Sequence, residues 1–180
     1  MKKLTHDEIA ANRLTPDSIP DERRLPVVAV IENVRSLYNV GSIFRTADGA
    51  LIRQLCLTGF TPRPPRKEIE KTALGATRSI PWVYASSPLE PISTLRAEGY
   101  NICCLELTTN SRPYYQIEKR DFPLCLVVGN EVSGISKEVI SQCAFSLEIP
   151  MFGTKQSLNV SVAFGVAIFE LSRIWRLPQS

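Results

Sequence analysis

The chain has 180 residues, a length that suits a single globular domain with a sizeable core. Hydrophobic residues make up 44% and charged residues 22%, which are ordinary values for a soluble folded protein. The net charge of +3 falls short of the strong positive excess of an obvious nucleic-acid-binding module, so the composition permits such a partner without requiring one.

The N-terminal segment is predicted as a short helix followed by a connector. Thr5 and Glu8 have the spacing of a capping box, which opens a helix through Ala11. Residues 15–26 are rich in proline and charge, as is typical of a connector. We therefore divide the chain into this segment, residues 1–26, and one domain over residues 27–180.

The domain alternates between short apolar runs and helix-like segments. The predicted strands cover residues 27–31, 54–58, 102–107, 124–128 and 145–149. The predicted helices cover residues 41–50, 67–74, 88–98, 137–142 and 158–175. Continuous apolar strands are typical of parallel sheets that are buried on both faces. The alternation predicts an α/β fold with a mainly parallel sheet flanked by helices.

The last predicted helix is apolar around nearly its whole circumference, from Val160 to Leu171. A helix of this kind must be covered on several sides. Either the sheet and a subunit interface cover it, or a neighbouring helix does. We favour the interface, and therefore a homodimer, because most soluble oligomers are homo-oligomers with self-complementary patches.

Cysteine and histidine usage narrows the function classes. The five cysteines are odd in number and lack paired spacing, which argues against a disulfide framework or a zinc site. The only histidine, His6, lies in the terminal segment, so a histidine-based triad or metal cluster is excluded. The most hydrophobic stretch, residues 160–171, is too short to span a bilayer, and no secretory signal is visible. We expect a reduced, cytoplasmic protein without metal or membrane attachment.

Three polar, glycine-bearing loops each follow a predicted strand directly: residues 32–41, 129–134 and 150–159. In open α/β sheets, ligands bind beyond the carboxyl ends of the strands. If the sheet is parallel, all three loops lie at one edge and can build one site.

The loop glycines have two interpretations. Gly129, Gly134 and Gly153 would permit a positive φ or a close backbone approach, or they would simply make turns. The second loop superficially follows the phosphate-binding pattern of P-loop proteins. Ile135 stands where the phosphate-binding lysine is required, and Glu131 would put negative charge in the cradle, so this motif is rejected.

Arg45 is the first candidate functional side chain. It shares a helix face with Gly41 and Ser42, and this face can look back toward the strand ends. The alternative is an intrahelical pair with Asp48, worth only about 0.2–0.5 kcal/mol. Local sequence leaves both interpretations open.

Polar residues of the other two loops are also ambiguous. Glu131 could accept hydrogen bonds from loop amides or could be a solvated turn acid. Ser157 and Asn159 are good N-cap residues for the last helix, which is their minimal structural role.

Taken together, residues 33–47, 129–134 and 149–161 resemble the three motifs of the SpoU family of RNA 2′-O-ribose methyltransferases, within the SPOUT superfamily. The resemblance extends over about residues 27–172 and implies a C-terminal trefoil knot, which general topology rules would not predict. It also implies a homodimer and the cofactor S-adenosylmethionine. The cofactor-binding residues by this resemblance are Leu107, Thr108, Gly129, Asn130, Glu131, Ile149, Met151, Ser157 and Leu158.

The resemblance also assigns the catalytic residues. Arg45 would act on the ribose hydroxyl and Asn39 would position Arg45 or the ribose, while the site would be completed by Glu131, Ser157 and Asn159. A guanidinium stays protonated at ordinary pH and is an awkward general base. Either Arg45 loses its proton to a substrate phosphate, or it stays charged and lowers the pKa of the hydroxyl.

The substrate implied is tRNA or ribosomal RNA, and the compactness of the domain favours tRNA. Candidate RNA-binding residues are Arg35, Arg63, Arg66, Lys67, Lys71 and Arg78. The alternative for this cluster is a solvated charged face, partly neutralised by Glu68 and Glu70. The alternative function is a catalytically silent RNA-binding module of the same fold.

Overall fold

The computed structural model describes residues 1–11, 13–15 and 19–177. The helices are α1 (His6–Ala10), α2 (Leu37–Ala50), α3 (Lys67–Ala73), α4 (Ala76–Ser79), α5 (Leu89–Ala97), α6 (Lys137–Ile140) and α7 (Val160–Arg176). The strands are β1 (Leu25–Glu32), β2 (Ile52–Thr58), β3 (Trp82–Ala85), β4 (Asn101–Leu105), β5 (Arg112–Pro113), β6 (Leu124–Val128) and β7 (Phe145–Glu148). The capping box predicted at the start of α1 is confirmed, with both Thr5 and Glu8 making its hydrogen bonds.

The seven strands form one sheet in the order β3-β2-β1-β6-β4-β7-β5. Every strand pair is parallel, which confirms the predicted α/β class. Two late strands enter between earlier ones, since β6 lies between β1 and β4, and β7 lies between β4 and β5. The trefoil knot stays a prediction.

The sheet is buried on both faces, which explains the continuous apolar strands. Along β1, Val27, Ala29 and Ile31 point into the larger core, which also contains the buried side chains of α2, α3 and α7. Val28 and Val30 point into the second core, with buried side chains of α5 and α6. Successive residues of a strand face opposite sides, so one unbroken run supplies both layers.

Several boundaries and three elements differ from the predictions. Strand β1 begins at Leu25, within the predicted connector, and β4 ends at Leu105. The elements β3, β5 and α4 were not predicted. Strand β3 is an edge strand with all four residues at least partly exposed, and β5 has only two residues, so neither leaves a clear apolar run.

The five cysteines are all free, and only Cys143 is not fully buried. Helix α7 buries one side through residues such as Phe164, Ile168 and Leu171 and packs against α2. Its opposite side leaves Val162 51% and Phe169 52% exposed. Within one chain the core and α2 therefore cover only part of the helix, and the predicted subunit interface on the exposed side stays a prediction. Among the described residues, no helix combines the length and apolar character that crossing a membrane requires.

Candidate functional site

A cavity of about 280 Å³ opens at the carboxyl ends of β4, β6 and β7. Its walls come from residues within 105–107, 128–134 and 147–163. These three strands are neighbours in the order β6-β4-β7, so the loops that follow them meet. The first loop, residues 32–41, does not line this cavity, and the loop after β4 supplies the remaining wall.

Eight of the nine predicted cofactor-binding residues line this cavity: Leu107, Gly129, Asn130, Glu131, Ile149, Met151, Ser157 and Leu158. The ninth, Thr108, does not line it, because its hydroxyl lies 2.5 Å from the Ser146 Oγ and is held against β7. The assignment of these residues to a cofactor remains a prediction.

Glu131 connects the second loop to the first. Its carboxylate accepts hydrogen bonds from the backbone N of Arg35 at 3.0 Å, the backbone N of Ser36 at 3.1 Å and Asn39 Nδ2 at 2.9 Å. Asn159 Nδ2 in turn donates to Asn39 Oδ1 at 3.2 Å. The three predicted loops are therefore joined by side-chain hydrogen bonds, and Glu131 is not a simple solvated turn acid.

These hydrogen bonds set the ionisation of Glu131. Partial burial alone would raise the pKa of its carboxyl group, but donors from Arg35, Asn39 and Ser36 outweigh burial and leave the pKa below its ordinary value. A carboxylate with a lowered folded-state pKa contributes stability that is present above its unfolded pKa, about 4.3. That contribution is lost as the pH falls through the folded pKa.

We expect Glu131→Gln to lower the free energy of unfolding by about 1 kcal/mol at pH 7, a value reduced for solvent exposure. An amide places an NH₂ group opposite at least one of the three donors. The measurement is urea unfolding of both proteins at pH 7 and pH 3.5. The difference in the free energy of unfolding between the two proteins should be smaller at pH 3.5 than at pH 7. An equal difference at both pH values would contradict a stabilising role of the ionised Glu131 carboxylate.

The loop glycines have different roles. Gly134 has a φ of +67°, which favours glycine. At Gly129, an added Cβ would lie 2.5 Å from the backbone carbon of Gly134, so this position requires close backbone approach. A Cβ added at Gly153 would meet no atom within 4 Å beyond its chain neighbours, and its φ is not left-handed, so the fold does not require glycine there.

Asn159 is the N-cap of α7 and accepts from the backbone N of Ser161 and Val162, as predicted. Ser157 is not a cap and lies exposed at the cavity wall. Asn159 therefore combines its helix cap with the contact to Asn39.

Two carboxylates at the cavity wall, those of Glu106 and Glu148, were not among the site residues predicted from the sequence. Glu106 accepts from the backbone N of Leu107 at 3.0 Å and of Ile135 at 3.1 Å, and Glu148 accepts from Ser111 Oγ at 2.5 Å. Each lies at or next to the carboxyl end of a strand, and an acid in that position of an apolar run was the signal available in the sequence.

The cavity wall thus carries three carboxylates, those of Glu106, Glu131 and Glu148, and none of its lining residues is Lys, Arg or His. The remaining wall is largely aliphatic. A positively charged ligand with an apolar part suits this arrangement. Across the described residues, no three His, Cys, Asp or Glu side chains gather as a metal site would require.

Arg45 does not line the cavity. Its side chain is exposed and makes no hydrogen bond or ion pair with any residue that the structure describes. The alternative pair with Asp48 is absent, because Asp48 accepts from Ser79 Oγ instead. Arg45 lies about 12 Å along the helix axis from Leu37, at 1.5 Å per residue.

The predicted RNA-binding side chains are all exposed, and none forms an ion pair within the described part of the chain. We call five of them the basic surface: Arg63, Arg66, Lys67, Lys71 and Arg78. Glu70 does not neutralise it through an ion pair and accepts from Thr77 Oγ1 at 3.0 Å. The guanidinium of Arg63 lies 4.2 Å from the centre of the Tyr84 ring.

Comparison with known proteins decides the family. Residues 26–169 match the SpoU rRNA methylase family model. The chain belongs to the SpoU family. This confirms the resemblance seen in the three motifs, all of which lie within the matched residues.

Similar SpoU-related proteins include a Staphylococcus saprophyticus candidate TrmH family tRNA/rRNA methyltransferase, 31% identical over 83% of this chain and 59% of its own length. An AdoMet-bound rRNA methyltransferase from Sinorhizobium meliloti has a TM-score of 0.77 and 28% identity over 85% of this chain and 59% of its own. A protein from a study of the 2-OH methylation of C/U34 on tRNA has a TM-score of 0.69 and 25% identity, covering 82% of this chain and 94% of its own. The chain spans about three fifths of the length of the curated relatives it matches.

Proposed function

We propose that this SpoU family chain is an S-adenosylmethionine-dependent RNA methyltransferase that acts on a ribose 2′-hydroxyl, with tRNA favoured over ribosomal RNA. The observation that carries the proposal is the carboxylate-lined cavity whose rim is joined to the first loop through Glu131 and Asn39. The AdoMet-bound relative supports the cofactor. The solved structure of similar length from the study of 2-OH methylation of C/U34 on tRNA supports tRNA as the substrate.

The residues of the cavity fit S-adenosylmethionine. When bound, this cofactor supplies a methyl group on a positively charged sulfonium. Glu106, Glu131 and Glu148 would offset the positive charge of the ligand, and the aliphatic wall around Ile149 and Leu158 would hold its apolar part.

The polar residues at the rim would position the substrate. Glu131 holds Asn39, and Asn159 contacts the same amide, so the side chain of Asn39 is fixed between two loops. A fixed side chain can orient a ribose at little entropic cost. Ser157 is exposed at the wall and is free to turn its hydroxyl toward a ligand.

Arg45 would act on the ribose hydroxyl or on the adjacent phosphate. Its guanidinium has five N–H donors, and no residue in the described part of the chain occupies them. Either it donates to the hydroxyl oxygen and favours loss of the proton, or it passes its own proton to a phosphate. Both routes require the unpartnered state that the side chain has.

The basic surface would hold the RNA backbone. Arg63, Arg66 and Lys67 follow β2 at the end of the sheet where the cavity lies, and Lys71 continues along α3. Arg78 lies further along the chain, next to Ser79, whose carbonyl accepts from Arg24 just before β1. All five side chains face solvent without ion-pair partners among the described residues. Contacts of this kind set affinity and carry little sequence information. The free thiols of all five cysteines agree with a reducing compartment, and we place the enzyme in the cytoplasm.

We also propose that the enzyme is a homodimer through the exposed side of α7. Val162 and Phe169 are seven residues apart, so they share a helix face, and each residue is about half exposed. Val162→Glu should convert the dimer to a monomer at micromolar concentration, because it would bury an unpaired charge in the interface. Sedimentation velocity measures the change.

Leu89→Glu is the matched control, since Leu89 is 41% exposed on α5 and should leave the dimer intact. An acid in the first turn of α7 is favourable for the helix, so the Val162 variant should stay folded. A dimeric Val162→Glu protein would contradict the assigned interface.

The function is tested by methyl transfer from labelled S-adenosylmethionine into total RNA from a strain that lacks this gene. The products are separated by RNA class and digested to nucleosides. A labelled 2′-O-methyl nucleoside in the tRNA fraction is the expected result. Label confined to a base, or no label despite cofactor binding, would contradict the proposal.

A further inference from the structure

Phe60 is an exposed aromatic residue that has no role in the proposed function described above. It follows β2 at the carboxyl end of the sheet, where the cavity also opens, and 61% of the residue is exposed. A single exposed aromatic residue is common on protein surfaces. The contacts that hold this one, and the residues beside it, distinguish Phe60 from such cases.

The backbone beneath Phe60 is fixed by side chains from two other segments. Its backbone N donates to Asn33 Oδ1 at 3.1 Å, and the hydroxyl of Tyr84 donates to the carbonyl of Gly59 at 2.9 Å. The carbonyl of Asn33 accepts from Asn130 Nδ2 at 2.7 Å. The backbone that carries the Phe60 ring is therefore connected to the second loop by hydrogen bonds. Stacking of a base on this ring would cost little conformational entropy, because the segment is already held in place.

Phe60 lines an open cleft beside the cavity. The other lining residues are Arg35, Asn130, Val132 and Ser133. Asn130 and Val132 also line the cavity, so the two depressions share a wall. A nucleotide whose ribose reaches the cavity can therefore place a base in the cleft.

The chemistry of the cleft suits a nucleotide. An aromatic ring offers a stacking surface to any base, and the exposed Arg35 offers a cation to a phosphate. The basic surface begins three residues further on, at Arg63. We propose that Phe60 stacks on a base of the RNA at or next to the methylated nucleotide, while Arg35 contacts the backbone. This inference rests on the proposed function.

The test compares wild type with Phe60→Ala, Phe60→Trp and Tyr115→Ala. Tyr115 is a matched control, because it is 54% exposed and follows β5, the strand at the opposite edge of the sheet from β3. The probes are a single-stranded RNA decamer, an abasic decamer of the same length, and unmodified total tRNA from a strain that lacks this gene. The readouts are the Kd for each decamer, the Kd for S-adenosylmethionine, the KM and kcat with the tRNA, and the oligomeric state.

Phe60→Ala should weaken binding of the RNA decamer about tenfold, equivalent to about 1.4 kcal/mol, and should raise KM for tRNA with a smaller effect on kcat. Phe60→Trp should restore both values. Binding of the abasic decamer and of S-adenosylmethionine should be the same in every variant, and Tyr115→Ala should behave like wild type.

Equal decamer affinities of wild type and Phe60→Ala would overturn the stacking role, as would an absence of decamer binding by wild type. A change in oligomeric state without a change in RNA affinity would assign Phe60 to a subunit contact and would also overturn it. The decamer measurement requires no methyl transfer. A wild-type protein that binds the decamer through Phe60 but methylates no RNA would contradict the proposed function alone.

Discussion

Replacing Arg45 by alanine is expected to abolish methyl transfer while leaving S-adenosylmethionine binding nearly unchanged. A residue that assists proton removal typically contributes about 10²–10⁴-fold to the rate, so kcat should fall at least about 100-fold. The side chain is exposed, has no partner in the described structure and does not line the cavity. Its removal should therefore change the free energy of unfolding by no more than about 0.5 kcal/mol.

The measurement for Arg45→Ala is single-turnover methyl transfer, combined with calorimetry for the cofactor. Arg23→Ala is the control, because Arg23 is also exposed but lies just before β1, at the amino end of the sheet. Its turnover should match wild type. Undiminished turnover in a folded Arg45→Ala protein would remove Arg45 from the mechanism.

Gly129→Ala is expected to destroy cofactor binding and to destabilise the domain. The added methyl group would lie 2.5 Å and 2.6 Å from the backbone C and O of Gly134, and 2.6 Å from Ile135 Cγ1. Backbone atoms at these distances must shift, and overpacking of this kind costs about 1–3 kcal/mol. Because Gly129 and Gly134 both line the cavity, the shift would also deform the binding surface.

Urea unfolding and cofactor calorimetry test this variant. Gly153→Ala makes the same chemical change where nothing lies within 4 Å, and it should change neither quantity. Wild-type cofactor affinity in Gly129→Ala would contradict this prediction. It would mean that the backbone of residues 129–134 accommodates the added methyl group without deforming the binding surface.

The parts of the fold that the sequence predicted are those with a strong apolar pattern. Strand β6 was predicted with its observed bounds, because all five of its residues are buried. Strand β3 has no such pattern, since its two central residues are exposed at the sheet edge. Strand β5 has two residues, and its pairing with β7 is a tertiary contact that no local pattern records.

Most residues that line the candidate site could be named from the sequence, but the spatial arrangement of its loops could not be predicted. Loops could be placed after strands, but the order of the strands could not be derived from periodicity. The order β6-β4-β7 brings the loop after β4, with Glu106, between the other two and moves the first loop to the rim. The contact of Glu131 with Asn39, 92 positions away, depends on that order.

The interleaved sheet also determines when the protein can fold during its synthesis. The central strand β1 pairs on one side with β6, where Val27 lies beside Leu124. At about 5–20 residues per second, a ribosome takes roughly 5–20 s to add the intervening chain. During that interval the apolar β1 has only β2 as a neighbour, and the floor of the cavity does not exist. Native structure at the centre of the sheet can therefore form only after β6 has been synthesised, and until then one edge of β1 is unpaired, as in the strand edges that promote aggregation.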